Sequence, residues 1–369
     1  ARAAALGLTT ALTLAAAPAG AAGPSLPLAP TGLARFTDHE WFHAAKVSPK
    51  GTYLAGAVAR GGRQALVFID LATRKPVGAF NPSGEEAVGR FEWASDERVV
   101  VELVDHDGTL EAPVSRGELY AVNADGGSGR LIFGYRTGGG GTGSHVRRDD
   151  HEWVVGEILD TLRDDDRHIL VAGRNVRGEM GDGQRWVWRV DVITGAKEKV
   201  ALGPLPECSF VTDADGALRL AYGRDERHKL RFFLRERDGW KELTRLAELP
   251  KGASPWGFVA ADGALLVEAA VEGGLGIYQV PLEGGAPRLL AKSRFAEFDT
   301  WLLDIATGRL IAARSEPDLP AWTVVDPGHP LGKALAALLD EYAGWDLAVT
   351  SRTTDDRLAV VRLSGDKAP

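Results

Sequence analysis

The sequence predicts an all-β fold, a β-propeller of seven four-stranded blades with the last one incomplete, and three observations lead there. A polar turn followed by a short β-type run recurs along the chain, its spacing is close to constant, and a second pair of alternating strands follows within several units. The length of 369 residues would equally suit two or three average domains, so the repeat decides the fold and the length does not.

The turns come in order. Ser48-Pro49-Lys50-Gly51 precedes Thr52 to Val58, and Ser95-Asp96-Glu97-Arg98 precedes Val99 to Leu103. Asp164-Asp165-Asp166-Arg167 precedes His168 to Ala172, and Asp213-Ala214-Asp215-Gly216 precedes Ala217 to Ala221. Ala261-Asp262-Gly263, Thr307-Gly308 and Asp355-Asp356-Arg357 introduce the last three runs. Anchored on Lys50, Glu97, Asp166, Asp215, Asp262, Thr307 and Asp356, the intervals are 47, 69, 49, 47, 45 and 49 residues. Second strand pairs follow, such as Ala65 to Leu71 before Ala72-Thr73-Arg74-Lys75, Glu118 to Asn123 before Ala124-Asp125-Gly126-Gly127, and Trp186 to Asp191 before Ile193-Thr194-Gly195. A unit of this length with about four strands must stack on neighbours to bury both faces, which is the propeller arrangement. The strands of a β-sandwich would not recur in such blocks.

The long interval holds a glycine-rich insertion, 137–150, and the sixth unit holds a helical insertion, 331–342, in which Leu331, Leu335, Leu338, Leu339 and Tyr342 share one face. The last unit reaches only one or two strands before Pro369, so the sequence is expected to break off within a blade. Ahead of the blades, Ala1-Arg2, the apolar run Ala3 to Ala17 and Ala19-Gly20-Ala21 read as a signal peptide over 1–22. Residues 23–42 read as a linker and 43–369 as the propeller, so the expected location is periplasmic or secreted, with no membrane span after cleavage.

A net charge of -8 and a pI near 5.6 lack the basic footprint of a nucleic-acid partner. The single Cys208 permits no internal disulfide and reads as core.

Chemical motifs are few. His39-Glu40-Trp41-Phe42-His43 matches the H-E-x-x-H zinc string, but no amphipathic helix surrounds it and no third ligand follows nearby. Gly138 to Gly143 satisfies the dinucleotide glycine pattern without a strand-to-helix unit around it. Ser128 and Ser254 lack the closing glycine of a nucleophile elbow. Asp105-His106-Asp107 and Asp164-Asp165-Asp166 read as turn residues, not calcium ligands. Of the tryptophans, Trp93, Trp153, Trp186, Trp188, Trp256, Trp301 and Trp345 mostly fall in strands, where large rings are core or channel lining. The residues therefore nominate no catalytic, cofactor-binding or metal site.

Val47-Ser48-Pro49-Lys50-Gly51-Thr52-Tyr53-Leu54-Ala55, Phe91-Glu92-Trp93-Ala94-Ser95-Asp96-Glu97-Arg98-Val99-Val100 and Gly117 to Gly126, followed by Leu131 to Arg136, occur in the order found in one family. From about residue 34 onward the chain resembles the non-catalytic propeller of exported bacterial serine peptidases of the prolyl oligopeptidase family. The resemblance implies a propeller that restricts access to peptide substrates and a C-terminal α/β-hydrolase partner domain that this sequence does not contain. It implies no cofactor, and the chain by itself is expected to be inactive. A periplasmic propeller serving as a protein-interaction module is the alternative, and a lactonase-like propeller with a metal in its channel is a third.

Overall fold

The computed structural model describes residues 42–365 apart from 61–62, 106–113, 138–152, 177–182, 238, 245, 247–252, 295 and 317. The expected signal segment and nearly all of the linker and glycine-rich insertion lie outside the described residues, as do His39, Glu40, Trp41, His106 and Asp107.

Each repeat is an antiparallel meander. The first sheet is β1 (Phe42–Val47), β2 (Tyr53–Arg60), β3 (Arg63–Asp70) and β4 (Lys75–Phe80). The second is β5 (Glu86–Trp93), β6 (Arg98–Asp105), β7 (Val114–Asn123) and β8 (Arg130–Phe133). The third is β9 (Val154–Asp160), β10 (His168–Asn175), β11 (Gln184–Asp191) and β12 (Lys197–Pro206). The fourth is β13 (Ser209–Thr212), β14 (Leu218–Arg224), β15 (Leu230–Glu236) and β16 (Gly239–Glu242). The fifth is β17 (Ser254–Val259), β18 (Ala264–Val271), β19 (Gly274–Pro281) and β20 (Arg288–Ser293). The sixth has only β21 (Phe298–Leu303), β22 (Leu310–Ser315) and β23 (Ala321–Val324), followed by helix α1 (Pro330–Glu341). The seventh unit is the hairpin β24 (Asp346–Arg352) and β25 (Ala359–Ser364).

The expectation of seven four-stranded blades with the last one incomplete is therefore corrected: the described residues form six blades, five of four strands and one of three, and a two-stranded hairpin stands where the incomplete seventh was expected. In the sixth blade α1 stands after the third strand. Its apolar face seats Leu335 among Ile311, Ala312 and Leu347, so it covers the junction with the hairpin.

Turn chemistry sets the reversals. Gly51, at φ +80°, takes the left-handed conformation that Ser48-Pro49-Lys50 needs to turn back. Asp213 Oδ1 accepts from Asp215 N and Ala217 N, tying the next turn with its own side chain.

The second strand of a blade is buried on both sides, and β6 shows why its run is so apolar. Val99 and Val101 pack towards the first blade among Phe68, Phe91 and Trp93, whereas Val100 packs towards the third among Ile158, Val171 and Trp188. Among the described residues, six apolar clusters fill the six successive junctions from the first sheet to the hairpin. Cys208 lies in the cluster between the third and fourth blades.

The ring returns on itself because β24 lies beside β1, but this last junction differs in kind. Thr350 Oγ1 donates to Ala45 O at 2.7 Å, Val47 N donates to Ser351 Oγ at 2.8 Å, and Thr354 N donates to Pro49 O at 2.9 Å. No apolar cluster and no shared ladder spans it among the described residues. A fully buried Leu, Val or Phe contributes about 1.5–3 kcal/mol, against about 1 kcal/mol net for a hydrogen bond. Thr354 Oγ1 adds a fourth bond, to Pro49 O at 3.2 Å. The junction between the first two blades buries Leu66, Phe68, Phe91, Val99 and Val101 to 1% exposure or less, so it outweighs the four hydrogen bonds of the seam about two- to fourfold.

Candidate functional site

The first strands of the units line the middle of the ring, and most touch a neighbouring first strand. Trp93 Nε1 in β5 donates to Lys46 O in β1, Thr212 in β13 donates to Asp160 in β9, and Asp213 bridges to Phe258 in β17. Trp256 in β17 stacks on Trp301 in β21, and Arg352 in β24 donates to Leu303 O.

These strands share a device: most carry a register shift against the second strand. In β5 it falls between Val88 and Phe91, in β9 at Leu159, in β17 at Trp256, in β21 at Asp299 and in β24 at Thr350. A bulge leaves its extra residue unpaired and re-aims the side chain. Trp256 is accordingly 42% exposed in a strand whose flanking Pro255 and Gly257 are buried.

Around the channel the walls differ. On β1 and β5, Lys46 pairs with Glu92 at 2.6 Å, and Arg90 reaches the same carboxylate at 3.1 Å. Glu102 sits behind them. Burial pushes its carboxyl above the usual range, Arg90 pulls the other way, and the nearby Glu157 adds to the rise. Across the ring the wall is aromatic: the Trp256 and Trp301 rings lie 5.1 Å apart and 3° from parallel. Trp256 borders a cleft of about 370 Å³, whose wall includes Leu159, Phe210, Tyr222, Ser254 and Pro255. A second cleft of about 560 Å³ between the second and third blades is lined by Arg116, Glu157, Arg174, Arg185 and Glu207. Arg185 pairs with Glu157 at 2.7 Å and Arg174 with Glu207 at 3.3 Å across it, while Arg116 pairs outside it.

At the end where the second blade begins, Arg136 binds both Glu86 and the fully buried Glu118, while Arg116 binds Glu86 and Asp105. The Glu118 carboxylate raises the Arg136 pKa. This network fixes the ends of β5, β6 and β7.

At the opposite end Asp304, His329 and Asp356 bring one nitrogen and two carboxylate oxygens within 4.8 Å of one another. Their hydrogen bonds do not suit a cation. Leu331 N donates to His329 Nδ1 at 3.2 Å, which places the ring proton on Nε2, and Nε2 donates to Asp304 at 3.1 Å. A metal on Nε2 would need that proton moved to Nδ1, against the backbone N–H. Arg352 also occupies Asp356, with Nη1 at 2.9 Å. Burial acts to raise the Asp304 pKa, but hydrogen bonds from Thr307 and His329 outweigh it and hold the group low. The arrangement is a cap for α1 joined to the sixth blade.

The motifs noted from the sequence scatter. Phe42 and His43 belong to strand β1, not to a helix, which removes the geometry of the zinc string. Ser128 lies in the β7–β8 turn, with φ +51°, and its carbonyl accepts from Arg98. Ser254 opens β17 at the edge of the aromatic cleft. Asp165 is a turn residue accepting from Arg167 N and His168 N, and it is paired with Arg189. Trp93 and Trp188 are core, whereas Trp153, Trp256 and Trp345 are exposed. The bulge at Trp256 had no signal in the sequence, because a bulge depends on the pairing register of two strands.

No family model and no curated protein matches the chain. Among solved structures it is similar to an acylaminoacyl peptidase from Pyrococcus horikoshii, with a TM-score of 0.47 and 14% identity over 84% of this chain and 48% of that one. It is also similar to the β-propeller domain of the Trilobed protease from Pyrococcus furiosus, with a TM-score of 0.44 and 16% identity over 78% and 82%. A third is prolyl oligopeptidase B from Galerina marginata, at 0.46 and 10% over 77% and 42%. The chain spans about half the length of the acylaminoacyl peptidases, 48%. At these identities the likeness is one of architecture: the chain is a β-propeller whose structural neighbours include acylaminoacyl peptidase, prolyl oligopeptidase and the Trilobed protease propeller domain.

Proposed function

We propose that this chain is the substrate-gating propeller of an exported serine peptidase of the prolyl oligopeptidase type, inactive alone and acting with a C-terminal α/β-hydrolase domain. The observation that carries the reading is the seam. Among the described residues every other junction is filled by an apolar cluster, so the ring has one line along which it parts at low cost, and the first strands around the channel carry a charged wall and an aromatic one. The ordered phrases of the first two blades support the same assignment. A gate of this kind admits an extended peptide and turns folded chains away.

The test is hydrolysis of chromogenic peptides. The purified chain is expected to be inert, and activity is expected once the reading frame is extended into a segment with a G-x-S-x-G elbow. Hydrolysis that stays with the chain through repurification overturns the proposal. A stop codon directly after Pro369 overturns it in favour of an interaction module.

A further inference from the structure

We propose that Trp256 and the cleft beside it form a subsite for one uncharged ring, the side chain of an aromatic residue in a peptide, so that the channel selects by sequence as well as by width. This rests on the peptide reading above and adds a specificity to it.

The extra residue of the β17 bulge is Trp256, set between Pro255, which pairs with Val267, and Gly257, which pairs with Leu266. The bulge leaves Trp256 unpaired between buried Pro255 and Gly257, with its indole exposed. One face of the indole rests on Trp301, and the residue borders the cleft, so the platform is fixed before any ligand arrives. Trp301 Nε1 is buried without a hydrogen-bond partner among the described residues, so this ring stands in place by contact with its neighbours. A ligand stacking on a platform already ordered loses less of its binding to immobilisation.

The chemistry of the walls selects the ligand. Among the described residues none that lines the cleft carries a formal charge at neutral pH, so an acidic side chain would enter without a counterion from them. Leu159, Phe210, Val211 and Pro255 border a cavity of about 370 Å³, room for a single ring with its flanking backbone, and Trp256 supplies the stacking face. A sugar ring would also stack on indole, but it needs partners for several hydroxyls. Thr212 already donates its hydroxyl to Asp160 at 2.6 Å, which leaves Ser254 and Tyr222.

Calorimetric titration of the full chain tests the subsite with three probes: acetyl-Gly-Phe-Gly-amide, acetyl-Gly-Asp-Gly-amide and cellobiose. The Phe peptide is expected to bind at least tenfold more tightly than the Asp peptide, with cellobiose weaker than the Phe peptide. Trp256→Ala should weaken the Phe peptide at least tenfold and Trp256→Phe less than threefold. Leu289→Ala, on the outer strand β20 of the same blade, should change nothing. Equal binding of the Phe and Asp peptides, tighter binding of cellobiose, or undiminished binding by a folded Trp256→Ala protein overturns the subsite. If Trp256→Ala does not fold, the comparison of the three probes on the unaltered chain still decides. No binding of the Phe peptide at millimolar concentration also overturns it, and leaves the hydrolysis test of the gating proposal untouched.

Discussion

Arg98 is a cation placed where the second and third blades meet, 3% exposed and with no carboxylate bound to it among the described residues. Its Nε donates to Val192 O at 2.7 Å across the junction, and Nη2 donates to Ser128 O at 3.1 Å. Nη1 donates to Asn123 Oδ1. Burial pulls the guanidinium pKa down, with Arg130 adding to the effect, so the charge itself is unfavourable and the acceptors justify the residue. Replacing it with methionine keeps the stem and strands the acceptors. Val192 is fully buried, and an unpaired buried acceptor costs about 1–3 kcal/mol. The two part-buried partners add about 0.5–1.5 kcal/mol each, and relief of the buried charge offsets some of the total. The expected loss for Arg98→Met is about 2–4 kcal/mol, a large share of a stability near 5–15 kcal/mol. Arg98→Lys, with a single compact donor group, should lose about half as much. Urea unfolding followed by tryptophan fluorescence measures both, since Trp188 lies in the same junction. If both variants fall within about 0.5 kcal/mol of the unaltered chain, the range expected for a plain surface site, the stapling role is refuted.

Two further outcomes are expected. Glu268 is buried, its pKa is raised by desolvation, and Phe298 N donates to its Oε1. Its folded value lies above the unfolded value of about 4.3, so it stabilises the fold in acid and loses that contribution as pH rises through the folded value. Glu268→Gln keeps an acceptor for Phe298 N, and melting curves should show it more stable than the parent at pH 8 and level with it at pH 4; destabilisation by a constant amount at every pH would contradict this. His329→Ala removes the α1 cap and the link to Asp304 and should cost about 1–2 kcal/mol, while zinc or manganese should leave the melting temperature of the parent unchanged. A saturable metal stabilisation lost in His329→Ala would overturn the tautomer argument.

Much of the blade pattern is legible in the sequence because turns and second strands are local. Ser48-Pro49-Lys50-Gly51 and Asp213 make their reversals with their own side chains and backbone, and Val99-Val100-Val101 is apolar throughout because both faces are covered. The four-stranded count failed at the sixth unit, and the short seventh unit, expected to be incomplete, is a hairpin and not a blade. There β23 is followed by a helix, and the described residues end one strand after β24. What joins the blades was not legible. Arg98 and Val192 are 94 positions apart, and Thr350 and Ala45 are 305 apart, so neither pairing leaves a local trace. The site fared worst. The exposure of Trp256 follows from the register of β17 against β18, and the opposition of a charged to an aromatic wall follows from ring closure.

The central claim is that the ring opens between its first blade and its terminal hairpin. Spin labels at exposed Ala72 in the first blade and Arg357 in the hairpin turn, compared with a pair at Ala72 and exposed Glu97 in the second blade, test it by pulsed distance measurement. A broad or two-peaked distribution across the seam, beside a narrow one between the first and second blades, is the predicted result. Equally narrow distributions, unchanged by peptide, would contradict it.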